Sequence, residues 1–215
     1  MLDADEVMAK FCDAGAQSVR RYFDVSGIGP EIMPEYFMPA FILDRLGDKI
    51  SAMLETNFRT LVEWNAGVRA RRGLAPQSHD ERLARLLNES RVDMALFEAE
   101  YEGKPKEQQD FFALVEFRRG YIDASRIRSR ISDRDRLLML LAHIDTCPWG
   151  VTCGWTNKDH TEWQKDSIKG TNDRWYEKRF ELPDTFGLPL FFCARLFARS
   201  SDDGRLAELI RSLPS

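Results

Sequence analysis

The sequence predicts a mixed α/β fold, and three observations lead to that prediction. Two segments, RVDMALFE and FFALVEFRR, have the alternating or continuous apolar character of β-strands that lie in one sheet. A leucine-rich segment, SDRDRLLMLLAHID, has the composition of a helix, and Ser132 at its start is a favourable N-cap. Polar stretches with Gly or Pro separate such segments along the chain. Strands and helices should therefore share one fold.

The first third of the chain should open with two helices and a strand. Apolar residues over 5–23 recur at helical spacing and predict a short amphipathic helix. A longer helix should begin at Pro34 and continue through Ile50 and Leu54, with Gly47 as a place where it can break. The segment FRTLVEW, residues 58–64, is aromatic and β-branched, which favours a strand.

The remaining segments predict a sheet with helices around it. ERLARLLNES should form a short helix, and the charged run EGKPKEQQD should connect the two strands named above. After the leucine-rich helix, WGVTCGWT should add a strand. RWYEKRFELPD and LPLFFCARLFARS then predict an extra C-terminal β part, and DGRLAELIRSL a terminal helix.

Composition is that of an ordinary globular protein of one domain, residues 1–215. Of the 215 residues, 43% are hydrophobic and 31% are charged. The N-terminal segment carries three acidic residues in its first six positions and has no long apolar run, so we expect no signal peptide, no membrane span and a cytoplasmic location. Because export is not indicated and no CxxC pair occurs, the four cysteines should be reduced, packed thiols.

Positive charge is concentrated in one stretch of an otherwise acidic chain. The net charge of −4 does not itself indicate a nucleic-acid-binding protein. Residues 118–136, however, hold seven arginines against three aspartates, so the rest of the chain sums to −8. A basic patch of this kind could contact a phosphate backbone, or it could be a solvated face with local ion pairs. The candidate phosphate-contacting residues are Arg119, Arg126, Arg128 and Arg130.

Two carboxylates lie within the predicted strand pair, Asp93 in RVDMALFE and Glu116 in FFALVEFRR. If the strands form a hairpin, the two side chains would lie beside each other. Mg²⁺ and Mn²⁺ prefer oxygen ligands, and phosphodiester hydrolysis needs such a cation on rigid elements. Glu116 and Arg118 should share one face of their strand.

The pattern of Asp93 followed by Glu116, Phe117 and Arg118 resembles the PD-(D/E)XK superfamily of restriction-endonuclease-like nucleases. The resemblance covers about residues 34–156 and implies a core of order α-β-β-β-α-β, a mixed sheet flanked by helices. It leaves the N-terminal helix in 1–33 and the C-terminal part, 157–215, as additions. It also implies cleavage of DNA, or of RNA, with Mg²⁺ or Mn²⁺ bound by an aspartate and a glutamate.

In that family a glutamate on the first core helix often completes the metal site. Glu35 is the matching position, with Glu31 and Glu55 as less favoured substitutes. The resemblance departs at the motif lysine, which is Arg118 here. Arginine can hold a phosphate but does not readily lose a proton to act as a base.

Other readings of the same residues stay open at this point. Glu116 could form a buried ion pair with an arginine, and Asp93 could pair with Arg91 at the surface. Besides a nuclease, the chain could be a nuclease-derived nucleic-acid-binding module that has lost turnover. It could also be a protein-interaction domain, and a homodimer is among the expected assemblies.

Overall fold

The structure is a computed structural model of the chain. It describes residues 2–29, 33–34, 36–47, 49–77, 81–99, 109–118, 133–157, 173–183, 189–198 and 203–212. Within these ranges the protein is α/β, with a mixed six-stranded sheet flanked by helices, as the sequence predicts.

The elements follow one another as α1 (Ala4–Ser26), α2 (Phe37–Leu46), β1 (Ile50–Asn57), α3 (Phe58–Arg71), α4 (Glu81–Leu87), β2 (Arg91–Glu98), β3 (Asp110–Phe117), α5 (Asp133–His143), β4 (Trp149–Thr156), β5 (Arg174–Phe180), β6 (Leu190–Ala198) and α6 (Asp203–Ser212). The strand order in the sheet is β1-β2-β3-β4-β6-β5. Strand β2 pairs antiparallel with both β1 and β3, and β5 pairs antiparallel with β6.

The long helix expected from Pro34 to Leu54 is wrong in its second half. Helix α2 ends at Leu46, and the next residue, Gly47, has a φ of 81°, a conformation that glycine adopts without strain. The chain then forms β1, in which Ile50 and Ala52 are buried while Ser51 between them is half-buried. Apolar spacing alone could not separate these two elements, because a short apolar run fits either period.

The strand expected over 58–64 is also wrong, because these residues begin helix α3. Asn57 precedes the helix in an extended conformation, and its side-chain oxygen accepts a hydrogen bond of 2.9 Å from the Thr60 N–H. This N-cap satisfies one of the amide groups that a helix start leaves without a partner. Burial of Phe58, Leu61 and Val68 on one face of α3 then outweighs the β-propensity of the segment.

The other predicted elements are confirmed, including the strand pair β2 and β3, the leucine-rich helix α5 and the C-terminal β part. All four cysteines are buried and form no disulfide. No helix among the described residues is long and apolar enough to cross a membrane.

The chain divides into two compact units, each built from segments that are distant in sequence. Unit 1 comprises Met1–Gly47, Phe117–Arg130 and Thr152–Leu196. Unit 2 comprises Asp48–Glu116, Ile131–Val151 and Phe197–Ser215. Each is described by itself.

In unit 1, helix α1 packs against α2 and β5. The Phe11 ring lies 5.9 Å from the Phe117 ring and 6.1 Å from the Phe192 ring, centroid to centroid. Gly15 permits the close approach of α1, since a Cβ there would lie 2.5 Å from the Phe192 ring. An ion pair of 2.7 Å between Lys178 and Asp13 joins β5 to the exposed side of α1.

In unit 2, one apolar cluster joins α3, α4, α5 and strands β2 and β3. Phe97 on β2 is fully buried, with the Trp64 and Phe111 rings each 5.0 Å from it. His143 at the end of α5 packs edge-on against Phe58. This cluster fixes β2, β3 and α5, which carry the candidate site.

A buried polar residue, Asn65, ties α3 to the turn after α5. Its side-chain oxygen accepts hydrogen bonds from the N–H and the hydroxyl of Thr146, at 3.0 and 2.6 Å. Its side-chain nitrogen donates to Asp145 at 3.1 Å, and Asp145 also pairs with Arg69. With these donors and acceptors matched, the network rigidifies the end of α5.

Candidate functional site

Asp93 and Glu116 lie next to each other on neighbouring strands of unit 2. Met94 on β2 pairs with Val115 on β3, so continuing that antiparallel register by one residue places Asp93 opposite Glu116. Side chains of opposed residues in an antiparallel pair lie on the same face. The charge of Asp93 also acts on the Glu116 carboxyl group. The predicted pair of carboxylates on neighbouring strands is therefore present.

Glu116 is held in an unusual protonation state. Its burial raises the pKa of the carboxyl from 4.5 to about 9, because ionisation inside the protein loses the solvation of water. The positive charge of Arg136 lowers the pKa but does not offset burial, while the negative charges of Asp93 and Asp133 raise it further. At neutral pH Glu116 therefore keeps a proton.

Arg136, near the start of α5, is the cation that the structure places on this pair. Its Nη2 forms an ion pair with Glu116 Oε2, and its Nη1 donates a hydrogen bond of 2.6 Å to the backbone oxygen of Arg91. The Glu116 side chain is only 4% exposed, whereas that of Arg136 is 32% exposed. The guanidinium therefore connects a buried carboxyl to the protein surface.

Glu55 on β1 lies between two residues that pair with β2. Leu54 pairs with Met94 and Thr56 with Val92, whereas the ladder of paired residues skips Glu55. Glu55 has a φ of 51°, a left-handed conformation that costs about 1 to 2 kcal/mol for a residue with a Cβ. Strain of this size is most often kept where a side chain must be aimed.

The third ligand expected from the family pattern, Glu35, lies outside the described residues, as does Glu31. By sequence, Glu55 is only a less favoured substitute. The structure places it on β1, and among the described residues it does not form a group of three metal ligands with Asp93 and Glu116.

Arg118, the residue at the motif lysine, follows directly after β3 and belongs to unit 1. Its backbone N–H donates a hydrogen bond of 2.8 Å to the Cys153 oxygen, and the residue is half-buried. Contact of its side chain with a phosphate stays a prediction.

The expected basic patch lies mostly beyond what the structure describes, because Arg119, Arg126, Arg128 and Arg130 fall in the range 119–132. Arg134 is described and is buried, with its guanidinium 5.0 Å from the centre of the Phe197 ring. That arginine serves packing in unit 2. The described end of the stretch thus includes one packing residue, Arg134, and one residue at the carboxylate pair, Arg136.

The arginines at the end of α3 form local ion pairs with aspartates. Arg71 and Arg72 contact the Asp110 carboxylate at 3.6 and 3.0 Å, and Arg69 pairs with Asp145. These contacts lie at a strand end and a turn.

The oxygen atoms of Asp93 and Glu116 are of the type that divalent cations prefer, but the pair supplies only two ligand residues. Asp93 and Glu116 offer hard carboxylate oxygens, and a cation that binds Glu116 would displace its proton. Within the described ranges, no three His, Cys, Asp or Glu side chains converge as a complete set of metal ligands. Mg²⁺ commonly binds proteins through one or two carboxylates, with water and substrate phosphate completing its shell. Two donors are therefore sufficient for a site completed by substrate.

No protein-family model, curated protein or solved structure matches this chain. The functional reading consequently depends on the geometry of the carboxylate pair and its surroundings.

Proposed function

We propose that the protein is a divalent-metal-dependent nuclease that hydrolyses phosphodiester bonds in DNA, with RNA as the other candidate substrate. Asp93 and Glu116 are the proposed ligands of Mg²⁺ or Mn²⁺. The observation that carries the proposal is the buried carboxyl group of Glu116 next to half-buried Asp93, on neighbouring strands in antiparallel register. A fold rarely buries an acidic group beside a second one unless they serve chemistry or are matched by cations.

The order of elements supports the same proposal. From α2 to β4 the chain reads helix, strand, two helices, strand, strand, helix, strand. This is the order α-β-β-β-α-β of the PD-(D/E)XK superfamily with α3 and α4 inserted after the first strand. The proposed ligands fall on the second and third strands, as that resemblance implies.

The chemistry divides between the cation and the residues of the chain. A bound divalent cation supplies a Lewis acid and lowers the pKa of a bound water. Asp93 and Glu116 hold that cation, and Glu116 must first release its proton. Because neither Arg118 nor Arg136 readily loses a proton, the arginines orient and neutralise phosphate and do not act as bases.

A second candidate function follows from one specific observation, the contact between Arg136 and Glu116. A guanidinium on this carboxyl group, together with the proton, makes its burial tolerable without a metal. Under this reading the chain is a nuclease-derived nucleic-acid-binding module without turnover. If nucleic acid does not bind either, it is a protein-interaction domain.

Cleavage of supercoiled plasmid in the presence of Mn²⁺ tests the enzyme proposal. Wild type should cleave, while Asp93→Ala and Glu116→Ala should each lose most of the activity. Glu81→Ala, which removes an exposed carboxylate on α4, is the matched control and should keep it. Equal cleavage by all four proteins would place the activity outside this pair.

The same proteins separate the two candidates. Absence of Mn²⁺-dependent cleavage together with salt-sensitive DNA binding would favour the binding module. Absence of DNA binding at low salt as well would favour the protein-interaction domain. Labelled single-stranded DNA and RNA of one sequence, offered to wild type, would then identify the preferred substrate class.

A further inference from the structure

Arg136 is neither packed in the core nor fully exposed, because its guanidinium contacts Glu116. Arg134, two residues before it, turns into the core against Phe197, whereas Arg136 reaches the Glu116 carboxyl. Both arginines lie in the first turn of α5, but their side chains contact different residues. Only the second brings a fixed positive charge to the carboxylate pair.

The two contacts of Arg136 preorganise its guanidinium and leave it able to bind more. Its terminal nitrogens engage Glu116 Oε2 and the Arg91 carbonyl, and each terminal nitrogen of a guanidinium carries a second N–H. The side chain is one-third exposed, so a ligand from solvent can reach these donors. A planar fork of N–H groups suits two oxygens of one phosphate.

We infer that Arg136 is the phosphate-binding cation of this site and takes the role that the sequence motif would give to Arg118. This inference rests on the proposed function, since it assumes a phosphodiester substrate at the Asp93 and Glu116 pair. The ligand chemistry is a phosphodiester group of a nucleic-acid backbone. Arg136 is a group that touches substrate, so its loss should weaken binding before any chemistry occurs.

The salt dependence of DNA binding measures this contact directly, because each neutralised phosphate contributes about 0.9 to the slope of log affinity against log salt. The full-length chain would be titrated with a short duplex DNA without metal over a series of NaCl concentrations. Arg136→Gln should lower the slope by about 0.9 relative to wild type. Arg136→Lys should keep the slope but bind severalfold more weakly, since lysine lacks the fork.

Two controls accompany the measurement. Arg85→Gln removes an exposed arginine of α4 and should leave the slope unchanged, while Arg118→Gln tests the motif position. A wild-type slope in Arg136→Gln together with a reduced slope in Arg118→Gln would overturn the inference. If Arg136→Gln fails to fold, Arg136→Lys decides the matter, and wild-type affinity in that variant would contradict a forked phosphate contact.

Failure of this inference can be told apart from failure of the proposed function. Mn²⁺ binding and plasmid cleavage by wild type test the function, and neither requires Arg136 to contact phosphate. A cleaving wild type with an unchanged slope in Arg136→Gln would retain the function and reject the role of Arg136. A wild type that binds neither Mn²⁺ nor DNA would reject both.

Discussion

Glu116 combines three properties that mark it as a candidate functional residue. It is buried near the end of an apolar strand, it carries a proton at neutral pH, and Arg136 contacts its Oε2. Neutralisation by a proton and pairing with Arg136 together make its burial tolerable. A cation that binds this carboxyl must displace the proton, so metal affinity should rise with pH.

The raised pKa of Glu116 predicts a specific pH dependence of stability. The folded protein keeps the proton up to about pH 9, whereas the unfolded chain releases it above the ordinary pKa of 4.5. Between these values the unfolded state binds fewer protons, so the free energy of unfolding falls as pH rises. Glu116→Gln has no such proton to lose and should gain stability over wild type as pH increases.

Urea unfolding of wild type and Glu116→Gln at about pH 5 and at about pH 8 measures this difference. The expected result is a variant that becomes more stable relative to wild type at the higher pH. A difference independent of pH would mean that Glu116 is already ionised in the folded protein.

The positive φ of Glu55 predicts that glycine is tolerated at this backbone position. Its φ of 51° suits glycine better than glutamate. Glu55→Gly should therefore leave the free energy of unfolding unchanged or raise it by up to about 1 kcal/mol. Leu54→Gly, at the neighbouring position with ordinary φ, should destabilise the protein and serves as the control. A loss of stability in Glu55→Gly as large as in Leu54→Gly would show that the backbone is not strained there.

At the scale of elements, the sequence predicts strands and helices well where the apolar pattern is long. The helix predicted over 5–23 is Ala4–Ser26 in the structure, and WGVTCGWT forms β4 over its whole length. Failures occur at the junctions around Gly47 and Asn57, where capping decides the structure. Asparagine is a favourable N-cap residue, but Asn57 can be recognised as a cap only if the segment after it is predicted to be a helix.

The carboxylate site is predictable from sequence to a similar extent. Asp93 and Glu116 are identifiable from their positions within two strands, and the structure brings them together. Glu55 and Arg136 could not be ranked from sequence, because the first depends on the pairing of β1 with β2 and the second on where α5 begins against the sheet. Such contacts join residues that are distant in the chain, and local patterns do not specify them.

The close packing of α1 in unit 1 predicts an unequal response to alanine. Gly15→Ala would place a Cβ 2.5 Å from the Phe192 ring, so it should destabilise the protein by about 1 to 3 kcal/mol despite alanine's better helix propensity. Gly204→Ala in α6 meets nothing within 4 Å and should be neutral or stabilising. Thermal unfolding of both variants tests this, and equal effects would contradict the close contact at Gly15.

For the whole molecule, the distribution of charge matters more than its total. The chain carries a net −4, although the stretch 118–136 holds seven arginines against three aspartates. Arg134 and Arg136 show that such a stretch need not act as one surface, since Arg134 is buried and Arg136 contacts Glu116. The proposed nucleic-acid binding should therefore depend on individual arginines and not on the whole stretch.

Mn²⁺ binding to the full-length protein tests the proposed metal site most directly. Both the proposed activity and the proposed roles of Asp93 and Glu116 require a bound cation. Titration followed by the electron paramagnetic resonance of free Mn²⁺ should show a site in wild type whose affinity rises with pH. Asp93→Asn and Glu116→Gln should each lose that site, and Glu81→Gln should retain it. Mn²⁺ binding that is absent from wild type, or unchanged in Asp93→Asn and Glu116→Gln, would contradict the metal site at this strand pair.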